Sequence, residues 1–301
     1  MTHMTKRILV GAVLIAAAAA VFTADWRLEE AGLPRLTSGA GGPARVLKGL
    51  PLAALMVLLI AAGFLELSRL LGKVAMPVLP TVGMASSILV GTLPFWRQAL
   101  PGASLGDSLM PAVLGIVLML LFVEQSIRHR TAQAMRHVGA SLLAVCYLGV
   151  CGAVALSCRL RFGLGGFLLF LMVVKFTDIG AYFTGSFIGR HKIAPWISPG
   201  KSWEGLVGGV VLAAAVAAAM VTWADAVFPE LGRIGLPAAV VMAVVLGTIG
   251  QLADLCESAM KRDAGVKDSG SSLPAFGGVL DVLDSPLLAA PAAYVLFAIF
   301  A

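Results

Sequence analysis

Residues 49–69 read GLPLAALMVLLIAAGFLELSR, and this apolar run decides the class of fold. A helix needs about 20 apolar residues to cross the hydrocarbon core of a bilayer, and this run supplies them. Comparable runs recur near 7–24, 74–95, 107–125, 138–158, 163–184, 205–226, 234–255 and 277–300. The sequence therefore predicts an all-α polytopic membrane protein with about nine transmembrane helices.

The composition agrees with this class. Of the 301 residues, 59% are hydrophobic and 13% are charged, whereas a soluble domain carries about 25% charged residues. The mean hydropathy is +0.95. In such a chain the net charge of +6 is first a signal of orientation, so we expect no nucleic-acid partner.

The positive charges also orient the helices. With the N-terminus in the cytoplasm, more Lys and Arg residues fall inside than outside. This topology puts the loops 185–204 and 256–276 on the cytoplasmic side, and it needs the first span, whose start resembles a signal peptide, to be retained. Glu66, at the cytoplasmic end of its span, is expected to pair with Arg69, three residues later.

Most polar residues inside the spans lie in the second half of the chain. We therefore predict an N-terminal transmembrane scaffold, 1–160, and a C-terminal catalytic transmembrane region, 161–301. Late in the sixth span, Lys175 and Asp178 are three residues apart, so they can neutralise each other. Ionisable groups at that depth are nevertheless candidates for function.

A second polar group is Ser198-Pro-Gly-Lys-Ser-Trp-Glu-Gly205. Gly200-Lys201-Ser202 resembles the end of a phosphate-binding P-loop, but that motif requires Gly where the chain has Pro195, and we expect no strand before it. We reject a P-loop on these grounds. Phosphate binding stays open, because Ser198 and Ser202 can donate hydrogen bonds, Lys201 supplies charge, and Ser202 or nearby amides can begin the seventh helix.

The third group starts on the eighth span, where Gln251, Asp254, Ser258 and Lys261 follow one helical stripe. The stripe enters the polar stretch Ser258–Ser285, which also carries Arg262 and Lys267. Carboxylates at the mouths of neighbouring helices can hold Mg²⁺ through oxygen ligands; the candidates are Asp254, Glu257, Asp281 and Asp284. Lysines, small-residue loops and carboxylates together indicate phosphoryl or nucleotidyl transfer.

These motifs resemble one known family. The run Ser258-x-Met-Lys-Arg-x4-Lys267-Asp268-x-Gly-x2-Leu-Pro-x-Phe276-Gly277-Gly278-x-Leu-Asp281-x2-Asp284-Ser285 is similar to the signature of phosphatidate cytidylyltransferases, also called CDP-diacylglycerol synthases. Asp178-x-Gly-Ala-Tyr182, Gly189-x-His-Lys192 and Ser198–Gly205 resemble the upstream motifs of that family. The resemblance covers about residues 175–290.

The resemblance implies that CTP and phosphatidic acid give CDP-diacylglycerol and pyrophosphate, with Mg²⁺ as the cofactor and a second cation left open. The active site is expected at the cytoplasmic mouth of the C-terminal helices, because the positive-inside topology puts the polar loops there. The absence of a long leader favours a bacterial inner membrane over the membrane of an organelle, and a homodimer stays open. The implied catalytic residues are Lys201, Asp254, Lys261, Arg262, Lys267, Asp268 and Asp281. The implied substrate-binding residues are Asp178, Tyr182, Lys192, Ser198, Ser202, Glu204, Gly277 and Gly278. The implied metal ligands are Asp254, Asp281 and Asp284.

Two positions depart from the family pattern. Phe276 stands where the family has His, and Val282 stands where it has Arg. Phe cannot form the hydrogen bonds of His, and Val lacks the guanidinium group with which Arg binds phosphate. Either Lys175 compensates for these changes or catalysis is impaired. The sequence also leaves open a CTP-dependent enzyme that acts on a different lipid acceptor and, in another functional class, a transporter.

Overall fold

Helices make up most of the computed structural model, which describes residues 3–32, 35–36, 45–46, 48–99, 108–224, 226–273 and 277–301. The helices are α1 (His3–Glu30), α2 (Leu50–Lys73), α3 (Pro80–Ala99), α4 (Leu109–His129), α5 (Ala134–Ala144), α6 (Cys151–Ile188), α7 (Trp203–Trp223), α8 (Leu236–Asp263) and α9 (Leu280–Phe300). A π-helix, Val145–Val150, joins α5 to α6, and a 3₁₀ turn, Pro229–Arg233, precedes α8. The strands are β1 (Arg35–Leu36), β2 (Arg45–Val46), β3 (Lys192–Ala194) and β4 (Ser198–Ser202).

Seven helical segments of the described ranges are long and apolar enough to cross a membrane. They are Leu9–Glu30, Leu50–Lys73, Leu109–His129, Ala134–Ile188, Trp203–Trp223, Leu236–Asp263 and Leu280–Phe300. A helix satisfies its own backbone hydrogen bonds, which is what a lipid environment demands. The prediction of an all-α polytopic membrane protein is confirmed, while the number nine stays a prediction.

One of these segments, Ala134–Ile188, has 55 residues. At about 1.5 Å per residue it is far longer than the ~30 Å hydrocarbon core. The helix breaks at Gly163, whose φ is 79° and ψ 177°, a backbone conformation open mainly to glycine. The break falls at the first residue of the predicted span 163–184, five residues after the predicted span 138–158 ends, so the segment can make two separate crossings.

The chain forms two compact units. The first contains Met1–Leu156 and Asp268–Val282. Among its described residues, the apolar core includes Leu79, Val90, Val117, Leu121, Val138 and Val145. Close packing marks the contact of α3 with the π-helix: a Cβ added at Gly149 would lie 3.0 Å from the carbonyl oxygen of Ser87.

The second unit contains Ser157–Lys267 and Leu283–Ala301. Small residues bring α6, α7 and α8 together, which is typical of helix packing in membranes. A Cβ at Gly209 of α7 would lie 2.5 Å from the carbonyl oxygen of Thr177 on α6, and one at Gly247 of α8 would lie 2.7 Å from the hydroxyl of the same threonine. This packing fixes the polar positions of α6 and α8 relative to each other. The functional division predicted at residue 160 stays a prediction.

A short antiparallel hairpin lies between α6 and α7. Lys192 of β3 pairs with Ser202 of β4, and Ala194 pairs with Ser198. The expectation that no strand precedes Gly200–Ser202 is therefore wrong. The rejection of a P-loop stands, because Gly200, Lys201 and Ser202 are themselves part of strand β4 and do not form the loop between a strand and a helix that the motif requires.

Candidate active site

The hairpin leads directly into α7 through Ser202. The Ser202 hydroxyl accepts a hydrogen bond from the backbone N–H of Gly205 at 3.1 Å, which makes it the N-cap of the helix. The prediction that Ser202 or nearby amides lie at the start of the seventh helix is confirmed. The preceding residue, Lys201, is thereby held at the edge of this helix start.

Lys201 bridges the hairpin to α8. Its ammonium lies 2.8 Å from the Asp254 carboxylate and donates a hydrogen bond of 2.8 Å to the carbonyl oxygen of Gln251. The side-chain amide of Gln251 in turn donates to Asp178 on α6, at 2.8 Å. Lys175 approaches the other oxygen of Asp178 at 3.7 Å, as their spacing predicted. Charge and amide groups from α6, β4 and α8 thus form one connected network.

A polar cavity of about 530 Å³ opens beside this network, a size within the range of small-molecule sites. It brings together seven of the predicted site residues, which are Asp178, Tyr182, Lys192, Ser198, Lys201, Ser202 and Asp254. Gly185, Gly189, Gly200 and Gly205 also line it. The cavity therefore combines positive charge, hydroxyl groups and backbone that a ligand can approach closely.

Three carboxylates, two from α8 and one from α9, cluster beside the predicted stripe. Oxygens of Asp254, Glu257 and Asp284 lie within 4.8 Å of one another. Glu257 is 0% exposed and forms an ion pair with Lys261, one turn later on α8. The Ser258 hydroxyl donates a hydrogen bond of 3.3 Å to Asp254, so these two residues of the predicted stripe lie on the same face of α8. The set of oxygen donors suits a hard cation such as Mg²⁺.

The resemblance assigned Asp254, Asp281 and Asp284 to the metal, and the structure brings Glu257 to two of these. Its spacing of three residues from Asp254 on α8 is the sequence signal that pointed to it. Asp281 belongs to the other compact unit. There its carboxylate accepts hydrogen bonds from the backbone N–H groups of Gly278 and Ser269, at 2.7 and 3.0 Å, and from the Ser269 hydroxyl at 2.9 Å.

Glu66 corrects a sequence prediction. We expected a boundary pair with Arg69, but Glu66 is buried, with 1% of its surface exposed. It accepts hydrogen bonds from the backbone N–H groups of Val279 and Leu280, at 3.0 and 2.8 Å. These donors are more than 200 residues away in sequence, so no local pattern signalled them. Sequence reasoning missed Glu66 and Ser269 as partners of the segment that carries Asp281.

The remaining predicted residues are placed as follows. Arg262 donates to the carbonyl oxygens of Ile197 and Val266, each at 3.1 Å. It thus joins the loop after α8 to the hairpin, and the two loops predicted to share one side of the membrane do meet. Glu204 accepts hydrogen bonds from the backbone N–H groups of Arg190 and His191, each at 3.2 Å. Lys267 and Asp268 are exposed.

The glycines of the predicted site lie next to Asp281. Gly277 has a φ of 94°, which favours glycine, and Gly278 supplies one of the N–H groups that bind the Asp281 carboxylate. Of the two departures from the family pattern, Val282 is half-buried in the first turn of α9. Phe276 lies outside the described residues.

Comparison with known proteins identifies the family. The model of the cytidylyltransferase family matches residues 43–300. A phosphatidate cytidylyltransferase of Bacillus subtilis (strain 168) is 32% identical over 272 residues, which cover 85% of this chain and 97% of the relative. One from Staphylococcus saprophyticus is 32% identical over 237 residues, with 79% and 87% covered. One from Brucella suis biovar 1 is 44% identical over 140 residues, with 46% and 49% covered. The chain belongs to the cytidylyltransferase family, as its motifs predicted, and is a membrane-embedded nucleotidyltransferase.

Proposed function

We propose that this chain transfers the cytidylyl group of CTP to phosphatidic acid, giving CDP-diacylglycerol and pyrophosphate. The observation that carries the proposal is the polar cavity, in which Lys201 and Asp254 form an ion pair beside a cluster of carboxylates. A site for two polyanions needs both cationic groups and acidic groups that hold metal ions. The chain supplies both within one compact unit.

The reaction needs no nucleophile from the protein. An anionic oxygen of the lipid phosphate attacks the α-phosphorus of CTP and forms a new P–O bond. The bond from the α-phosphorus to the bridging oxygen of the β-phosphate breaks, and its electron pair leaves with pyrophosphate. Because both substrates are anions, the protein acts by positioning them and by neutralising charge.

Lys201 is the residue we assign to the phosphates of CTP. Its side chain is 13% exposed, so its charge is only partly hydrated and acts strongly on a bound anion. Ser198 and Ser202 line the same cavity and offer hydroxyl groups. Lys261 and Lys267 add positive charge near the end of α8 and beyond it. Arg262, which binds two backbone carbonyls, holds the hairpin in place.

The donor set formed by Asp254, Glu257 and Asp284 fits Mg²⁺, because it consists of three carboxylates within reach of one cation. These residues would hold the ion, and Asp281 is the candidate for a second one. A bound Mg²⁺ neutralises phosphate charge and stabilises the leaving pyrophosphate. Lys261, paired with Glu257, offsets the negative charge of the cluster.

An apolar groove of about 1100 Å³ is our candidate site for the lipid substrate. Ile188, Trp203, Val207 and Val211 line it, and its polar rim includes Arg190 and Lys192. Lys192 lines the polar cavity as well. We assign the acyl chains to the groove and the lipid phosphate to the region of Lys192. The excess of Lys and Arg in these loops supports a site that faces the cytoplasm, where CTP is available, and we propose that the membrane is a bacterial inner membrane.

The test uses purified protein, CTP labelled in the cytidine, and phosphatidic acid in mixed micelles, with and without Mg²⁺. We expect Mg²⁺-dependent incorporation of the label into lipid and its loss in the Asp281→Asn variant. A panel of other lipid phosphates and alcohols, tested in parallel, identifies the acceptor. The proposal would be wrong if the wild-type protein formed no labelled lipid from phosphatidic acid under these conditions.

A further inference from the structure

A carboxylate from the N-terminal half of the chain is buried against the segment that precedes α9. Glu66 of α2 accepts the backbone N–H of Val279 with one oxygen, at 3.0 Å, and that of Leu280 with the other, at 2.8 Å. The first N–H groups of a helix have no partner within the helix, so Glu66 supplies one for α9. Its negative charge is also favourable at the positive end of the helix dipole.

The Asp281 carboxylate is bound by the same segment. The N–H of Gly278 points to Asp281, whereas the next two N–H groups along the chain point to Glu66. The Ser269 hydroxyl lies 2.9 Å from Asp281 and 3.3 Å from Glu66. A hydroxyl has one hydrogen to donate, so Ser269 sits between the two carboxylates and links them.

At two glycines the backbone approaches Glu66 so closely that a larger residue would displace the Glu66 carboxylate. A Cβ added at Gly270 would lie 2.7 Å from a Glu66 oxygen, and one added at Gly278 would collide with the other oxygen and with the Ser269 hydroxyl. The conformation of the segment therefore depends on the Glu66 carboxylate and on the glycines that surround it.

We propose that Glu66 is a positioning residue for Asp281: it fixes the backbone at Ser269 and from Gly278 to Leu280, and thereby sets the direction of the Asp281 carboxylate. This inference rests on the proposed function, in which Asp281 serves nucleotidyl transfer. Residues that orient ligands of a metal or a substrate typically change affinity or activity by about 10- to 100-fold when they are replaced.

The test compares two isosteric variants. In Glu66→Gln an amide NH₂ replaces one carboxylate oxygen and faces a backbone N–H, so one donor loses its acceptor. We expect kcat to fall by about 10- to 100-fold, the Mg²⁺ concentration for half-maximal activity to rise, and the KM for CTP to stay within about twofold. Hydrogen exchange of peptides covering residues 278–281 should become faster.

Glu124→Gln is the matched control. Glu124 is also buried, and it accepts the N–H groups of Thr81 and Val82 at the start of α3, at 3.2 and 2.7 Å. We expect faster exchange near residues 81–82 in this variant, with kcat and Mg²⁺ dependence as in the wild type. If both variants lose stability alike and neither changes kcat or Mg²⁺ dependence, Glu66 is a helix cap only and the inference is overturned.

Ser269→Ala decides the question if Glu66→Gln does not fold. It removes only the hydroxyl that links the two carboxylates, so we expect kcat to fall by about 2- to 10-fold and half-maximal activity to need more Mg²⁺. Unchanged values would overturn the inference. A wild-type protein that makes no CDP-lipid would reject the proposed function instead. In that case hydrogen exchange still tests the inference. An unchanged exchange rate at residues 278–281 in Glu66→Gln or Ser269→Ala would show that Glu66 does not fix this backbone.

Discussion

Single residues of the site divide into those that local sequence predicts and those that it cannot. Lys201 and Asp254 stand in motifs, and the structure joins them at 2.8 Å. Ser202 or the amides near it were predicted at the start of the seventh helix, as part of a possible phosphate site, and Ser202 is the N-cap of α7. Glu66 gave no such signal, because its partners, among them Ser269, Val279 and Leu280, lie more than 200 residues further along the chain. Contacts of that kind follow from tertiary packing and leave no local pattern.

A variant of Lys175 tests whether this lysine takes the role of the arginine that the family has at the position of Val282. Lys175 lies 3.7 Å from Asp178, and 38% of its side chain is exposed, so its charge can reach a bound anion. If it replaces the missing arginine, Lys175→Met should lower turnover by about 100-fold or more, the scale of one lost electrostatic contact in a transition state. Asp178 keeps a partner in Gln251, so the variant should fold. The measurement is kcat with labelled CTP.

Lys48→Met serves as the comparison for this variant. Lys48 is also paired with a carboxylate, Glu29, at 2.6 Å, but it has no part in the proposed site. We expect its turnover to match the wild type. Adding Val282→Arg to Lys175→Met should restore part of the lost activity. Unchanged turnover in Lys175→Met would show that Lys175 does not compensate.

At the scale of elements, three helix starts are capped in the same way. N–H groups at the starts of α9 and α3 and just after the break in α6 are each bound by a carboxylate from elsewhere in the same compact unit. The carboxylates are Glu66, Glu124 and Glu230. In lipid an unsatisfied backbone N–H costs several kcal/mol, so a buried helix start requires an acceptor. The sequence predicts the helices, but it does not predict which distant carboxylate satisfies each one.

The break in α6 allows a direct test of this capping by a distant carboxylate. The Glu230 carboxylate accepts the N–H of Gly165 at 2.7 Å, just after Gly163. Glu230→Ala leaves that N–H without its acceptor and should lower the free energy of unfolding by about 1–3 kcal/mol. The measurement is the midpoint of thermal unfolding in detergent micelles. Glu30→Ala, which removes an exposed carboxylate at the end of α1, should leave the midpoint unchanged. Equal midpoints for the two variants would mean that Glu230 does not stabilise the break.

For the whole molecule, the chain crosses between its two compact units within the polar stretch Ser258–Ser285. Residues 268–282 group with the N-terminal unit, and the flanking residues group with the other. Apolar runs predict the class of fold and roughly where the helices lie. They carry no information on which helices group together, because every span is apolar and lipid does not favour one apolar neighbour over another. The orientation of the helices, in contrast, follows from the positions of Lys and Arg and can be tested directly.

The topology predicts that the hairpin and the end of α8 face the cytoplasm and that the 3₁₀ turn before α8 faces the opposite side. α7 connects the hairpin to this turn and has 21 residues, or about 32 Å of helix, enough for one crossing. In a protein whose four cysteines are replaced by alanine, Pro195→Cys and Asp263→Cys should react with a membrane-impermeant maleimide in inverted vesicles only. Arg233→Cys should react in intact cells.

All three positions are exposed in the structure, so the readout depends on the side of the membrane and not on burial. Pro195 lies between the two strands of the hairpin, and Asp263 is the last residue of α8. Arg262, next to Asp263, bonds the carbonyl oxygen of Ile197 in the hairpin, so the first two positions must label from one side whatever its identity. If Arg233→Cys labelled from that side as well, α7 would not cross the membrane. If Pro195→Cys and Asp263→Cys both labelled in intact cells, the active site would face away from the cytoplasm, where its nucleotide is.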